Sequence, residues 1–173
     1  EKIKLGEAGE KVVPYINAFE DTIKEFNQNE INLERLKQAI EKIKVDKEEI
    51  EINCYKWESK EKNIKGVVQI VHGMTEHALR YDFFARKLTE EGYIVYAHDH
   101  RGHGKTALSK ELFGYIADDD GFNWMVSDVK EHLDLIKKEN EGLPVFVFSH
   151  SMGSFITQRF IQKHGSEIDG IIL

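Results

Sequence analysis

With 173 residues, 40% of them hydrophobic and 32% charged, the chain has room for one globular domain and an appendage, and its composition is too ordinary for disorder. A net charge of −7 argues against nucleic acid or an anionic membrane as the main partner. No apolar run nears the roughly 20 residues of a transmembrane helix, and Glu1–Lys4 carries no signal-peptide core, so no stable membrane insertion is expected. The single cysteine, Cys54, cannot form an internal disulfide, which points to a reducing, cytoplasmic setting. The first residue is Glu rather than Met, which leaves open an export signal removed by processing.

Between Lys11 and Phe26 the apolar residues Ile16, Phe19, Ile23 and Phe26 recur at helical spacing, with Pro14 tolerated in the first turn. Asn27–Asn29 interrupts the pattern, Asn32 is a natural N-cap, and Leu33, Leu36, Ile40 and Ile43 repeat the spacing. These features predict a helical hairpin over residues 1–45, of unknown role, and the charged Asp46–Glu49 marks the boundary with a second domain, 46–173.

From Ile50 the period changes to two. Ile50, Ile52, Cys54 and Lys56 face one way and Glu51, Asn53 and Tyr55 the other, as in a half-exposed strand. After a charged turn, Val67–Val71 reads as a buried strand running into His72-Gly73. A helix is expected over Leu79–Glu90, with Phe84 and Leu88 inward and a stop at Gly92. Tyr93–Ala97 is a second apolar strand, followed by a long loop from His98 to Gly121. Met125, Val129, Leu133 and Ile136 then share one helix face, with Asp118–Asp120 ahead of it where the helix dipole favours anions. Val145–Phe148 and Gly170–Leu173 complete the strands. Alternating strands and helices predict an α/β domain with a mostly parallel sheet and helices on both faces.

The strand at Val145–Phe148 ends at Ser149-His150-Ser151-Met152-Gly153, a G-x-S-x-G nucleophile elbow with serine in place of its first glycine. Such a turn forces the nucleophile into strained backbone between strand and helix, and only small neighbours let the two elements approach. The same residues read without chemistry are an ordinary Ser/Gly turn. An acyl-transfer serine also needs N–H donors for the developing oxyanion, commonly one from the residue after it and one from a loop after an earlier strand. Met152 and Met74 occupy those two places.

His72-Gly73-Met74-Thr75-Glu76-His77, Arg80-Tyr81, Asp99-His100-Arg101-Gly102-His103-Gly104 and His150-Ser151-Met152-Gly153, in this order, resemble the monoacylglycerol lipase and bacterial lysophospholipase branch of the α/β-hydrolase superfamily. The stretch from Gly114 to Phe122 is also similar to bacterial members of that branch. The resemblance implies a serine ester hydrolase acting on a small lipid ester through an acyl-enzyme, with no cofactor and no metal. It makes Ser151 the nucleophile, Met74 and Met152 the backbone oxyanion donors, and His72-Gly73 the loop that positions one of them. Gly153 supports the elbow, and Asp99 and Arg101 hold the loop after Tyr93–Ala97 by charge-assisted hydrogen bonds.

In this superfamily the acid and the base follow the serine along the chain. After Ser151 the sequence holds only His164, Glu167 and Asp169, none placed to serve. The expectation is therefore the N-terminal half of a catalytic domain, an incomplete α/β-hydrolase fold preceded by the helical hairpin. It would be inactive alone and prone to self-association through the edge near Ile171–Leu173. Two other readings compete with it. His98, His100 and His103 form an H-x-H-x-x-H cluster, but Gly102 stands where a metallo-β-lactamase-type motif wants an acid. A non-catalytic truncated module or binding scaffold is the alternative from another class.

Overall fold

The computed structural model describes residues 50–107 and 109–173, so the expected helical hairpin lies outside the described residues. Glu51–Ala107 and Gly114–Leu173 form one compact unit. Leu108–Phe113 is grouped with a second unit, and its described part is one 3₁₀ turn, Lys110–Leu112.

The larger unit runs β1 (Cys54–Trp57), β2 (Gly66–Val71), a 3₁₀ turn (Ala78–Tyr81), α1 (Asp82–Glu90), β3 (Tyr93–His98), α2 (Gly121–Glu139), β4 (Val145–Ser149), α3 (Met152–His164) and β5 (Gly170–Ile172). The sheet order is β1-β3-β2-β4-β5. Only the β1–β3 pair is antiparallel. Val67 pairs with Ile94 on one side and Val145 on the other, so β2 lies between β3 and β4.

Every residue of β2 is buried, which explains its unbroken apolar run. Alternate side chains serve opposite faces. Val67 and Val71, with Val145 and Val147, pack on Met125, Val129, Leu133 and Ile136 of α2 and on Ile156 and Phe160 of α3. Val68 and Ile70, with Val95 and Ala97, pack on Ala85, Phe84 and Leu88 of α1. Gln69 is the polar exception in β2, and its Nε2 donates to Val129 O, 3.1 Å away. Fully burying one such aliphatic side chain is worth about 1.5–3 kcal/mol, so the two faces together hold the sheet and its C-terminal loops in place.

Two local expectations are corrected. The first strand is shorter than the alternation from Ile50 suggests, and its inward residues are Tyr55 and Trp57, with Cys54 and Lys56 exposed. The rings decide its orientation: Tyr55 and Trp57 stack at 6.0 Å, and the indole N–H donates to Asp82 Oδ1 at 2.8 Å. The helix expected from Leu79 begins as a 3₁₀ turn and becomes α-helical only at Asp82, because the buried Asp99 carboxylate accepts the Ala78 N–H at 2.8 Å and tightens the entry. Among the described residues no helix is long and apolar enough to cross a membrane.

Candidate active site

The loops after β2, β3 and β4 all emerge at the same end of the sheet, beside the point where the chain crosses from β3 over β2 to β4. That crevice is where open α/β sheets place their ligands.

Ser151 lies between β4 and α3 with φ 53° and ψ −117°, a conformation that a residue with a Cβ rarely adopts. The strain is held by hydrogen bonds on either side: His150 N–H donates to Val71 O, Gly153 N–H to His150 O and Ser154 N–H to Ser151 O. Ser151 is exposed at the N-terminus of α3, where the helix dipole favours negative charge. Gly153 explains why the pattern needs a small residue there. A Cβ on it would stand 2.2 Å from Val71 O and 2.6 Å from His72 O, so helix and strand could not approach as they do.

Ser149, which replaces the usual glycine, has found a use for its side chain. Its hydroxyl donates to Ile172 O at 3.0 Å and ties β4 to the edge strand β5.

The loop His72–Glu76 borders the elbow. A Cβ built on Gly73 would lie 3.1 Å from Ser151 Cβ and 3.2 Å from His150 Nδ1, so this loop and Ser151 are in contact. The side chains of Ser151 and His150 therefore flank the same glycine, whereas adjacency on a strand suggests that they point apart. Met74 follows with its side chain exposed, while that of Met152 is buried under the helix start. Neither the Met74 nor the Met152 N–H has a backbone or side-chain acceptor among the described residues.

His72 underlies the loop and is fully buried. Its Nδ1–H donates to Gly73 O at 2.7 Å, its Nε2 accepts the His100 N–H at 3.0 Å, and His100 Nε2–H returns a bond to His72 O at 3.0 Å. Burial pushes His72 down to about 4, so the ring is neutral and its tautomer is set by these partners. Burial likewise pushes His98 and His100 well below their ordinary value, and in the expected cluster the His100 ring meets those of His98 and His103 edge to face. His100 lies 4.1 Å from His72, centroid to centroid, and His103 spends its Nδ1–H on Arg101 O.

Asp99 and Arg101 support the loops through partners the motif does not reveal. Asp99 is buried and accepts from Ala78 N–H, Lys105 N–H and the Tyr55 hydroxyl, which joins β1 and the segments that follow β2 and β3 to one carboxylate. Arg101 makes a two-pronged pair with Asp128 of α2, Nε to Oδ2 at 2.7 Å and a terminal nitrogen to Oδ1 at 2.9 Å, and its guanidinium lies 4.9 Å from the Trp124 ring centre. Burial pushes the Asp128 carboxyl above its usual range, and Arg101 opposes that shift. Sequence reasoning passed over Asp128. The available signal was a carboxylate on the apolar stripe of α2, one turn after Trp124 and beside Val129.

The residues after Ser151 do not reach it. His164 ends α3, about 18 Å from its start at 1.5 Å per residue, and its Nδ1 pairs with Glu167 at 2.9 Å. Asp169 accepts the N–H of Val145, at the opposite end of β4 from the serine.

Residues 62–173 match the family described as "Serine aminopeptidase, S33". The human monoglyceride lipase is 35% identical over 109 residues, which cover 63% of this chain and 34% of that protein. A highly thermostable carboxyl esterase from Bacillus coagulans, solved in complex with glycerol, aligns with a TM-score of 0.67 and 34% identity over 72% of this chain and 40% of that one. A soluble variant of monoglyceride lipase from Saccharomyces cerevisiae, in complex with a substrate analog, aligns at 0.59 and 27% identity over 69% and 39%. The chain spans about a third of the length of the human relative and about two fifths of the two structures.

Proposed function

Because the chain belongs to the serine aminopeptidase S33 family of α/β-hydrolases, within which it resembles the monoacylglycerol lipases, we propose that it carries the nucleophile of a serine ester hydrolase acting on monoacylglycerol- or lysophospholipid-type esters. The observation that carries this reading is the exposed Ser151 at φ 53°, in contact with the Gly73 loop. In the reaction Ser151 Oγ attacks the ester carbonyl carbon as its proton passes to a general base. The carbonyl oxygen, now negative, takes the Met74 and Met152 N–H groups. Collapse expels the glycerol or head-group alcohol, which leaves with a proton, and water then releases the fatty acid from the acyl-enzyme.

The base and the acid that orients it come, in this reading, from outside the described residues, since His164 and Asp169 stand at the far ends of α3 and β4. The chain alone would then retain only what binding and the oxyanion hole supply, about 10³–10⁴ over water. Exposed Ile171 and Ile172 on β5, with Leu173 just after it, support self-association through that edge. We place the protein in the cytoplasm, on the strength of its one unpaired cysteine.

Titration with a fluorophosphonate probe tests the reading, using Ser151→Ala as the blank. The expected result is slow labelling of Ser151 in the 173-residue chain, and rapid labelling with monoacylglycerol turnover in a polypeptide extended to the end of the parent gene. Failure of the extended polypeptide to label would leave the non-catalytic scaffold as the better reading.

A further inference from the structure

Glu76 is the one carboxylate of the His72–His77 loop beside Ser151. One of its oxygens, Oε1, receives three donors: the Gly73 N–H at 2.6 Å, the Tyr81 hydroxyl at 2.8 Å and His150 Nδ1 at 3.0 Å. Arg80 approaches the other oxygen at 3.7 Å. The carboxylate is nearly buried, with a side chain 10% exposed. Burial pushes its pKa up, but the bonds from His150, Tyr81 and Gly73 outweigh that and hold it below the ordinary range, so the group stays ionised. These donors come from three places: the oxyanion loop itself, the turn leading into α1, and the residue before Ser151.

A second observation explains what needs such anchoring. Between Gly73 and Glu76, Thr75 sits at φ 56°. A β-branched residue in the left-handed region is a clear outlier, and it persists only where its surroundings over-determine it. Thr75 follows Met74 directly, so relaxation of Thr75 to ordinary backbone would swing the Met74 peptide. The Glu76 carboxylate closes this turn from three residues on, through the Gly73 N–H.

We propose that Glu76 is the positioning residue of the oxyanion loop. It occupies the Gly73 N–H, clamps Thr75 in the left-handed conformation, and ties the loop to His150, leaving the Met74 N–H as the donor that faces Ser151. The role rests on the acyl-transfer reading above, but part of its test does not.

Two measurements decide it. The first is amide hydrogen exchange at Gly73 in the unreacted chain. Glu76→Gln keeps an oxygen that can accept the Gly73 N–H, so protection should stay within a few-fold of the parent, whereas in Glu76→Ala exchange should speed up by at least about tenfold, since the bond is gone. The second is the rate of Ser151 acylation by a small p-nitrophenyl ester, followed in the longest form of the protein that reacts. Glu76→Ala should lose about 10–100-fold in kcat with KM nearly unchanged, below the 10²–10³ of deleting an oxyanion donor outright. Thr75→Gly added to Glu76→Ala should recover much of that loss, because glycine occupies the left-handed region without penalty. A carboxylate that merely stabilised the fold would not be rescued this way, as glycine loosens the chain further.

Unchanged Gly73 protection in Glu76→Ala overturns the proposal, as does a kcat loss that Thr75→Gly leaves untouched or deepens. If no form of the protein acylates at Ser151, the acyl-transfer reading fails by itself, and Gly73 exchange still decides whether Glu76 clamps the loop.

Discussion

Replacing Gly153 with alanine tests the elbow where its geometry is tightest. The added Cβ would lie 2.2 Å from Val71 O and 2.6 Å from His72 O, and both oxygens are held in place, Val71 O by the His150 N–H and His72 O by the His100 ring. To reach the 3.3 Å at which carbon and carbonyl oxygen normally meet, α3 must retreat from β2 by about 1 Å. Overpacking of this kind costs roughly 1–3 kcal/mol, and with backbone on the far side the upper half of that range is expected. The same retreat carries Ser151 and the Met152 N–H away from the Gly73–Met74 loop, and a misplacement of 1 Å can cost about 10²-fold in rate.

Urea unfolding followed by the fluorescence of Trp57 and Trp124 reads the first effect, and the second-order rate of fluorophosphonate labelling at Ser151 reads the second. Gly165→Ala, at the C-cap of the same helix, is the control. Its φ is −60° and the one side-chain atom in reach is Ile161 Cβ at 3.5 Å, so stability should change by no more than about 0.5 kcal/mol. A Gly153→Ala protein as stable as the control, labelling at the parent rate, would refute the close-approach argument.

Ser149→Gly removes the hydroxyl that donates to Ile172 O and should cost about 1 kcal/mol, with faster amide exchange confined to β5 as the local signature. Removing either partner of the buried Arg101–Asp128 pair should cost about 3–5 kcal/mol in urea unfolding, whereas Arg101→Met combined with Asp128→Leu should cost clearly less than the sum of the single changes. Acid should also destabilise the fold. His72 and His132 are pushed down to about 4, and His98 and His100 lie well below their ordinary value, all chiefly by burial. Between pH 6.5 and about 4 the unfolded chain binds protons that the folded chain refuses, so stability is full above pH 6.5 and falls as the pH drops, by up to about 1.4 kcal/mol per pH unit for each such histidine. Urea midpoints measured from pH 7.5 to 5 should fall, and His132→Phe should flatten the slope by about one proton.

The buried strands and the elbow were legible because each depends on short-range pattern. A fully buried strand shows as an unbroken apolar run, and a forced turn shows as small residues at fixed offsets from Ser151. What escaped was set by how elements rotate and pack after they form. β1 offers no such run, so the inward face of an edge strand was decided by Trp57 reaching Asp82, 25 residues on. Arg101 was marked by its motif, yet its partner Asp128 comes from a helix whose rotation about its own axis no local pattern reports.

Glu76 escaped for a different reason: within its motif it reads as one more exposed acid, and its weight appears only when Gly73, Tyr81 and His150 converge on one oxygen. Three residues other than glycine have positive φ among those described, and two of them, Thr75 and Ser151, lie in the adjoining segments that form the candidate site. Ser151 is held against its own preference by the His150 N–H on Val71 O, at the last residue of β2, and Thr75 lies in the turn that Glu76 closes on the Gly73 N–H, two residues further on. The central strand therefore does more than fill the core. Both strained turns lie within a few residues of its end, and a Cβ added to Gly73 or Gly153 there would crowd the neighbouring segment.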